Sequence, residues 1–240
     1  MKPSTFNIYV MSYKRPNAIM SEKLFEYCTY VVRESEAEDY RSAGVKNVLA
    51  IPEGAVRDFM STLYWIIENT PEDVIFVADD DIDRFVYRTD YSRNIENEDG
   101  TPDTETATAE VERIAQLLVD LELGFAFDQP TLALYAYDKE FQFKGMPGHI
   151  RWINKKALKA TYDQEDPAAS DVDMMMQELL HNRVVIQPKY LCVKALMDKN
   201  KGIVEDRSEH YAHHEAMKNK WGKYYDYDYR RNIGNILVQR

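Results

Sequence analysis

Short apolar runs alternate with amphipathic segments along the first part of the chain. Four of these runs are rich in β-branched and aromatic residues, which is typical of buried strands: 7–12, 30–33, 47–52 and 74–78. Helical spacing of apolar positions predicts three helices between them: 18–26, 35–43 and 54–67. Because strands and helices alternate, we expect an α/β fold with a mostly parallel sheet covered by helices.

The rest of the chain has shorter and less regular apolar runs. A helix over 108–121 is predicted by its apolar face, and a helix over 174–181 by the acidic residues at its N-terminus. Short strands are expected at four places: 125–127, 131–137, 150–153 and 184–186. The polar, tyrosine-rich residues 205–240 form a tail. These features predict one domain, 1–240, with a second subdomain.

Composition limits the class of protein. The 240 residues are 45% hydrophobic, which is enough for one sizeable core. The net charge of −11 argues against a broad basic surface for nucleic acid, although lysines cluster between 139 and 159. Since no apolar run resembles a membrane span or a secretory signal, we expect a cytoplasmic protein. Cys28 and Cys192 lie among apolar or aromatic neighbours, as core thiols do.

Carboxylates crowd the end of the fourth predicted strand. The apolar run ends in Asp79-Asp80-Asp81, and Asp83 follows two residues later. Open α/β sheets bind ligands at the carboxyl ends of their strands. Like charges this close repel, and a divalent cation that prefers oxygen ligands, such as Mg2+ or Mn2+, would relieve the repulsion. The alternative is an acidic turn that is solvated or capped by its own carboxylates.

Together with three other motifs, this acidic turn resembles the GT-A glycosyltransferases. The motifs are Val10-Met11-Ser12-Tyr13-Lys14-Arg15-Pro16, Asp79-Asp80-Asp81, Ser170-Asp171-Val172-Asp173 and Lys220-Trp221-Gly222. The resemblance spans nearly the whole chain and implies a Rossmann-like sheet flanked by helices. It also implies a nucleotide-sugar-binding half, an acceptor half and a tail that closes on the site: 1–92, 108–204 and 205–240.

Within the GT-A group, one segment is similar to the phage and TET-associated glycosyltransferases that act on hydroxymethylated pyrimidines in DNA. It comprises the helix over 54–67, the acidic strand that follows and Phe85. The resemblance implies a metal-dependent transfer of sugar from a nucleotide sugar, most simply a UDP-sugar, to a hydroxyl group. That hydroxyl would belong to a 5-hydroxymethylpyrimidine of phage DNA or, alternatively, to a saccharide or small molecule.

The resemblance assigns donor-site roles to individual residues. Asp81 would bind Mn2+ or Mg2+, with His213 or His214 as a second metal ligand. The remaining donor-binding candidates are Ser12, Tyr13, Lys14, Arg15, Arg57, Asp79, Asp80 and Lys220. Arginine donates paired hydrogen bonds to phosphate and tyrosine stacks on bases, which suits the turn after the first strand. The alternatives are a solvated basic turn for Lys14 and an exposed histidine pair in a polar tail.

The catalytic candidates are Asp171 and Asp173. In an inverting transfer, a carboxylate takes the proton of the acceptor hydroxyl, and the family keeps that base at this position. Helix capping explains both residues without catalysis. On the acceptor side, His149 is expected to face the acceptor, while Phe141, Phe143 and Trp152 either stack on it or belong to the core.

Three other classes of protein explain these motifs less well. A nucleotidyltransferase needs a glycine-rich loop after its first strand, and residues 12–16 contain no glycine. An aspartate-nucleophile phosphatase carries its acidic motif after the first strand, whereas here the motif follows the fourth. A non-catalytic nucleotide-binding module would not need the run of carboxylates.

Overall fold

The computed structural model describes residues 5–89, 91–128, 137–196 and 207–239. The strands are β1 (Phe6–Met11), β2 (Thr29–Arg33), β3 (Val48–Ile51), β4 (Val74–Asp79), β5 (Ile82–Arg88), β6 (Ser92–Asn94), β7 (Phe125–Phe127), β8 (Phe141–Gln142), β9 (Ile150–Asn154), β10 (Gln187–Pro188), β11 (Leu191–Ala195), β12 (Tyr225–Asp228) and β13 (Ile233–Ile236). The α-helices are α1 (Ala37–Ser42), α2 (Phe59–Asn69), α3 (Thr104–Asp120), α4 (Asp171–His181) and α5 (Arg207–Trp221). Every helix in these ranges is too short or too polar to cross a bilayer.

Six strands form the central sheet, in the order β3-β2-β1-β4-β9-β7. The first four are parallel to one another, while β9 runs antiparallel to both β4 and β7. The predicted mostly parallel sheet is therefore confirmed. In the β1–β4 register Met11 lies opposite Asp79, so the turn after β1 and the acidic turn after β4 leave the sheet side by side.

Alternate residues of the strands pack on opposite faces of this sheet. Ile8, Phe76 and Trp152 belong to the core beneath α3, where the Trp152 indole N–H donates to the Val111 carbonyl at 2.8 Å. Tyr9 and its neighbours on the other face pack against α2 and α4. Helices therefore cover both faces, and Trp152 is a core residue.

The helical predictions of the first half differ from the structure in two places. Residues 18–26 form only a short 3-10 turn, Ser21–Leu24. The helix expected from residue 54 begins at Phe59, because Asp58 accepts the Ser61 N–H and Ser61 bonds back to the Asp58 N–H. This capping box fixes the start of α2.

The second half departs further from the sequence predictions. The chain after the acidic turn forms β5, which pairs with β6 and β11 in a separate antiparallel sheet. Of the predicted strand over 184–186, only Ile186 pairs, in an isolated parallel bridge with Ala126, and the strands β10 and β11 follow it. The helix α3 begins earlier than expected, after the capping residue Asp103. Residues 129–136, which carry most of the strand predicted over 131–137, lie outside the described ranges. The tail forms α5 and the β12–β13 hairpin.

Candidate functional site

Asp80 ties the acidic turn to the turn that follows β1. Its carboxylate accepts hydrogen bonds from Ser12 Oγ at 2.5 Å and Arg15 Nη1 at 2.8 Å, and Asp80 as a whole is only 6% exposed. Tyr40 completes the contact, because its hydroxyl bonds Ser12 Oγ at 2.5 Å and accepts the Arg15 N–H at 3.0 Å. Burial raises the pKa of Asp80, while the bonds from Ser12 and Arg15 oppose that shift. Asp80 therefore fixes the shape of the first turn.

Asp79, Asp81 and His149 form the group of ligand atoms that suits a metal ion. One oxygen or nitrogen from each lies within 4.8 Å of the other two. His149 Nδ1 lies 3.4 Å from Asp79 Oδ2, and the Asp79 N–H donates to the His149 carbonyl at 3.0 Å. Burial, and then repulsion from Asp79, raise the pKa of Asp81.

The donor atoms of this cluster fit a divalent cation. Asp81 Oδ1 is buried and has no hydrogen-bond partner in the described part of the chain. An unpaired buried carboxylate oxygen beside a second carboxylate is costly, and a cation would satisfy both. Carboxylate oxygens with one imidazole nitrogen are ligands that Mn2+ accepts. The contact with the Asp79 carboxylate raises the pKa of His149.

Arg151 joins the acidic cluster to the start of α4. Its guanidinium donates to Asp79 Oδ1 at 3.2 Å and to Asp171 Oδ2 at 2.9 Å, and Arg151 as a whole is 3% exposed. The guanidinium also lies 4.6 Å above the ring of Phe59 at the start of α2. Sequence reasoning missed Arg151, although a charged residue within the apolar run Ile150-Arg151-Trp152-Ile153 was a visible signal.

A buried carboxylate lies against the residues on either side of His149. Asp128, which follows β7, is fully buried, and its Oδ1 accepts the Ile150 N–H at 3.2 Å. Its Oδ2 has no partner among the described residues, and burial raises its pKa to about 6. The backbone of Gly148 passes directly against this carboxylate. Asp128 therefore shapes the segment that presents His149, and sequence reasoning missed it.

The two candidate catalytic aspartates have different surroundings. Asp171 lies at the first turn of α4 and faces Arg151. Asp173 is 2% exposed and accepts hydrogen bonds from Trp221 Nε1, Lys220 Nζ and Gln177 Nε2, each at 2.8 Å. Lys220 also bonds Asp166 Oδ2 at 2.6 Å. Asp173 and Lys220 therefore connect α5 to α4.

Of the remaining donor-site candidates, Tyr13 and Lys14 lie in the turn after β1, whereas Arg57 lies just before α2. Lys14 has φ of 56° and places its Nζ 4.8 Å from the centre of the Tyr13 ring, while the Arg33 guanidinium lies 5.2 Å from the same ring. Arg57 is half exposed and pairs with the adjacent Asp58 at 3.1 Å. Two cations against one aromatic ring form a surface that suits an anionic nucleotide.

The structure does not bring His213 or His214 into the cluster of Asp79, Asp81 and His149. His213 Nδ1 lies 3.0 Å from the Pro167 carbonyl, and His214 Nδ1 lies 2.7 Å from the Tyr225 hydroxyl. The imidazole that joins the two aspartates is His149, which the sequence analysis had expected to face the acceptor. Only the antiparallel pairing of β9 with β4 could reveal this position.

Solved structures that align with this chain include two glycosyltransferases. Glucosyl-3-phosphoglycerate synthase from Mycobacterium tuberculosis, solved with Mn2+, UDP-glucose and phosphoglyceric acid, aligns with a TM-score of 0.55 and 7% identity. The alignment covers 98% of this chain and 86% of that one. Mannosyltransferase from Pyrobaculum calidifontis, in complex with GDP-Man and Mn2+, aligns with a TM-score of 0.53 and 14% identity, over 82% of this chain and 58% of that one.

A mycobacterial protein also aligns, with a TM-score of 0.55 and 9% identity, over 92% of this chain and 75% of its own length. No protein-family model and no curated protein matches the sequence. At these identities the comparison establishes the GT-A fold, in agreement with the resemblance found in the sequence.

Proposed function

We propose that this chain is a metal-dependent glycosyltransferase that moves a sugar from a nucleotide-sugar donor to a hydroxyl acceptor. The observation that carries the proposal is the cluster of Asp79, Asp81 and His149 at the carboxyl edge of the sheet. Ligands of open α/β sheets bind at this edge. The solved structures that share the fold include complexes with Mn2+ and either UDP-glucose or GDP-Man, which supports the same ligand class here.

Asp81 and His149, with Asp79 beside them, are the proposed ligands of Mn2+ or Mg2+. His149 takes the role that the sequence analysis gave to His213 or His214. When bound, the cation would offset the charge that develops on the leaving pyrophosphate. Arg151 positions Asp79, and Asp80 holds the adjacent turn in place, so both act through the geometry of the cluster.

The turn after β1 is the proposed nucleotide site. Tyr13 offers a ring face for the base, and Lys14 and Arg15 offer positive charge for the phosphates. Asp80 lies against Ser12 and Arg15, which orders this turn before any ligand arrives. Arg57 and Lys220 are proposed at the edge of the site, where Arg57 would exchange Asp58 for phosphate and Lys220 would exchange Asp166 while keeping Asp173.

Asp171 is the proposed catalytic base if the transfer inverts the sugar. Asp173 is the weaker candidate, since its oxygens already accept three hydrogen bonds that connect α4 to α5. Asp171 instead contacts Arg151, whose other amino group reaches Asp79. That shared guanidinium would hold the base at a fixed position relative to the metal cluster.

The acceptor is proposed to carry a hydroxyl group on a saccharide, a small molecule or a hydroxymethylated DNA base. Of the aromatic residues considered for stacking, Trp152 is in the core and Phe141 packs against Tyr190. Phe143 is 49% exposed and is the ring best able to stack on an acceptor. Activity on duplex DNA should fall steeply with salt, whereas activity on a saccharide should change little. A flat salt response with DNA would count against the DNA acceptor.

A thermal-shift panel with and without Mn2+ tests the donor site. UDP, GDP and their sugar conjugates are the ligands, and at a hundred times its Kd a ligand adds about 2.7 kcal/mol of stability. Asp81→Asn should lose the metal-dependent shift, while the matched control Asp83→Asn, whose carboxylate bonds Arg84, should retain it. Full metal-dependent binding by Asp81→Asn would overturn the metal assignment.

A further inference from the structure

A group of imidazole and phenol side chains lies where α5 packs on the β12–β13 hairpin. His210 and His214 are one helical turn apart, and their Nε2 atoms lie 3.2 Å from each other. The Tyr227 hydroxyl lies 2.8 Å from His210 Nε2 and also bonds Asn232 Oδ1 at 2.5 Å. Both histidines are partly exposed, so small solutes can reach them. The proposed transferase chemistry does not use this group.

The distance between the two Nε2 atoms matches the distance between two ligand atoms of a tetrahedral metal site. Zinc binds imidazole nitrogen at about 2.0–2.1 Å, so two such ligands at a tetrahedral angle are about 3.3 Å apart. The ring centres are 4.4 Å apart with the planes perpendicular. Chelation through both Nε2 atoms would set the centres about 5 Å apart, so the rings need to separate by under about 1 Å.

Two neighbouring tyrosines supply a third ligand atom and a hydrogen-bond partner for the second ring nitrogen of His214. The phenol oxygen of Tyr227 lies within hydrogen-bond distance of His210 Nε2. The Tyr227 ring stacks on His214 with the ring centres 3.6 Å apart, so it must tilt for the phenol oxygen to reach a cation held by both imidazoles. His214 Nδ1 lies 2.7 Å from the Tyr225 hydroxyl, which can hold the tautomer whose Nε2 carries the lone pair. Metal-bound histidines commonly use their second nitrogen in this way.

We propose that His210, His214 and Tyr227 form a second metal site, for a borderline transition cation such as Zn2+. Imidazole ligands favour such cations, whereas the carboxylates of Asp79 and Asp81 favour Mn2+ or Mg2+. The cation would join α5 to β12 across their contact. It would thereby stabilise the helix whose end, through Trp221 and Lys220, bonds Asp173.

Isothermal titration of the full chain with Zn2+ tests this site. His210→Gln and His214→Gln should each weaken Zn2+ binding by more than about tenfold, and Tyr225→Phe by about tenfold. The matched control is His213→Gln, on the same helix but with its imidazole on the Pro167 carbonyl, and it should bind as the unaltered chain does. Equal loss in His213→Gln, or unchanged binding in both His210→Gln and His214→Gln, would overturn the proposal.

A second measurement does not depend on those variants folding. Cu2+ added to the Asp81→Asn chain should give an electron paramagnetic resonance spectrum with coupling to two imidazole nitrogens. A spectrum with oxygen ligands alone would overturn the site. Because Asp81→Asn removes one proposed ligand of the Asp79, Asp81 and His149 cluster and leaves His210 and His214 unchanged, loss of Mn2+ binding with retained Zn2+ binding separates this proposal from the proposed transferase function.

Discussion

Replacing Gly148 with alanine should strain the segment that presents His149. The added Cβ would lie 2.6 Å from Oδ2 and 2.7 Å from Cγ of Asp128, closer than such atoms approach in real structures. The carboxylate cannot move aside cheaply, because it is fully buried and accepts the Ile150 N–H. Overpacking of this kind costs about 1–3 kcal/mol of unfolding free energy.

The same change should weaken metal binding, because Gly148 adjoins His149. A displaced supporting contact behind a metal ligand lowers affinity by about tenfold or more. We therefore expect Gly148→Ala to lower the urea midpoint and to raise the Kd for Mn2+. Gly234→Ala is the matched control, since its Cβ would meet the end of the unbranched Met146 side chain at 3.0 Å and the Tyr225 hydroxyl at 3.2 Å, and it should cost less.

A double-mutant cycle isolates the cause. Asp128→Ala removes the three atoms nearest to the new methyl group, Oδ1, Oδ2 and Cγ of Asp128, so Gly148→Ala in that background should cost less. The two changes should therefore be non-additive, with a coupling of about 1–2 kcal/mol in urea unfolding. Additive costs would refute the argument that the Asp128 carboxylate is what excludes a side chain at position 148.

Three further changes have expected outcomes. Asp58→Ala removes the cap of α2 and should lower the unfolding free energy in urea by about 1 kcal/mol; an unchanged midpoint would contradict the capping role. Asp173→Ala removes the acceptor of the Trp221 N–H and should cost about 1–3 kcal/mol and increase proteolysis of the tail, whereas a resistant tail would contradict the connection. Burial raises the pKa of Cys28 to about 12 and of Cys192 to about 11, so native protein at pH 8 should react slowly with iodoacetamide by mass spectrometry; alkylation as fast as in urea would contradict their burial.

The sequence by itself determined the four parallel strands of the central sheet and the place of the acidic turn. Runs such as Ile8-Tyr9-Val10 are apolar at every position, and only a strand covered on both faces buries all of them. The carboxylates of Asp79 and Asp81 directly follow such a strand, so their position at the carboxyl edge follows from local pattern alone. The cap of α2 is also a pattern visible in the local sequence, because Asp58 lies three residues before Ser61. The helical spacing of the apolar residues nevertheless predicted a start at residue 54.

Only the tertiary structure decided which side chains complete the site. His149, Arg151 and Asp128 belong to β7, β9 and the segments beside them, far along the chain from the acidic turn. They reach it because β9 pairs antiparallel with β4, in a register that places Ala78 opposite Ile150. Strand order and register depend on packing of the whole core, which short-range patterns do not encode. The same reason explains why His213 and His214 could be recognised in sequence but not assigned to a partner until α5 was placed against β12.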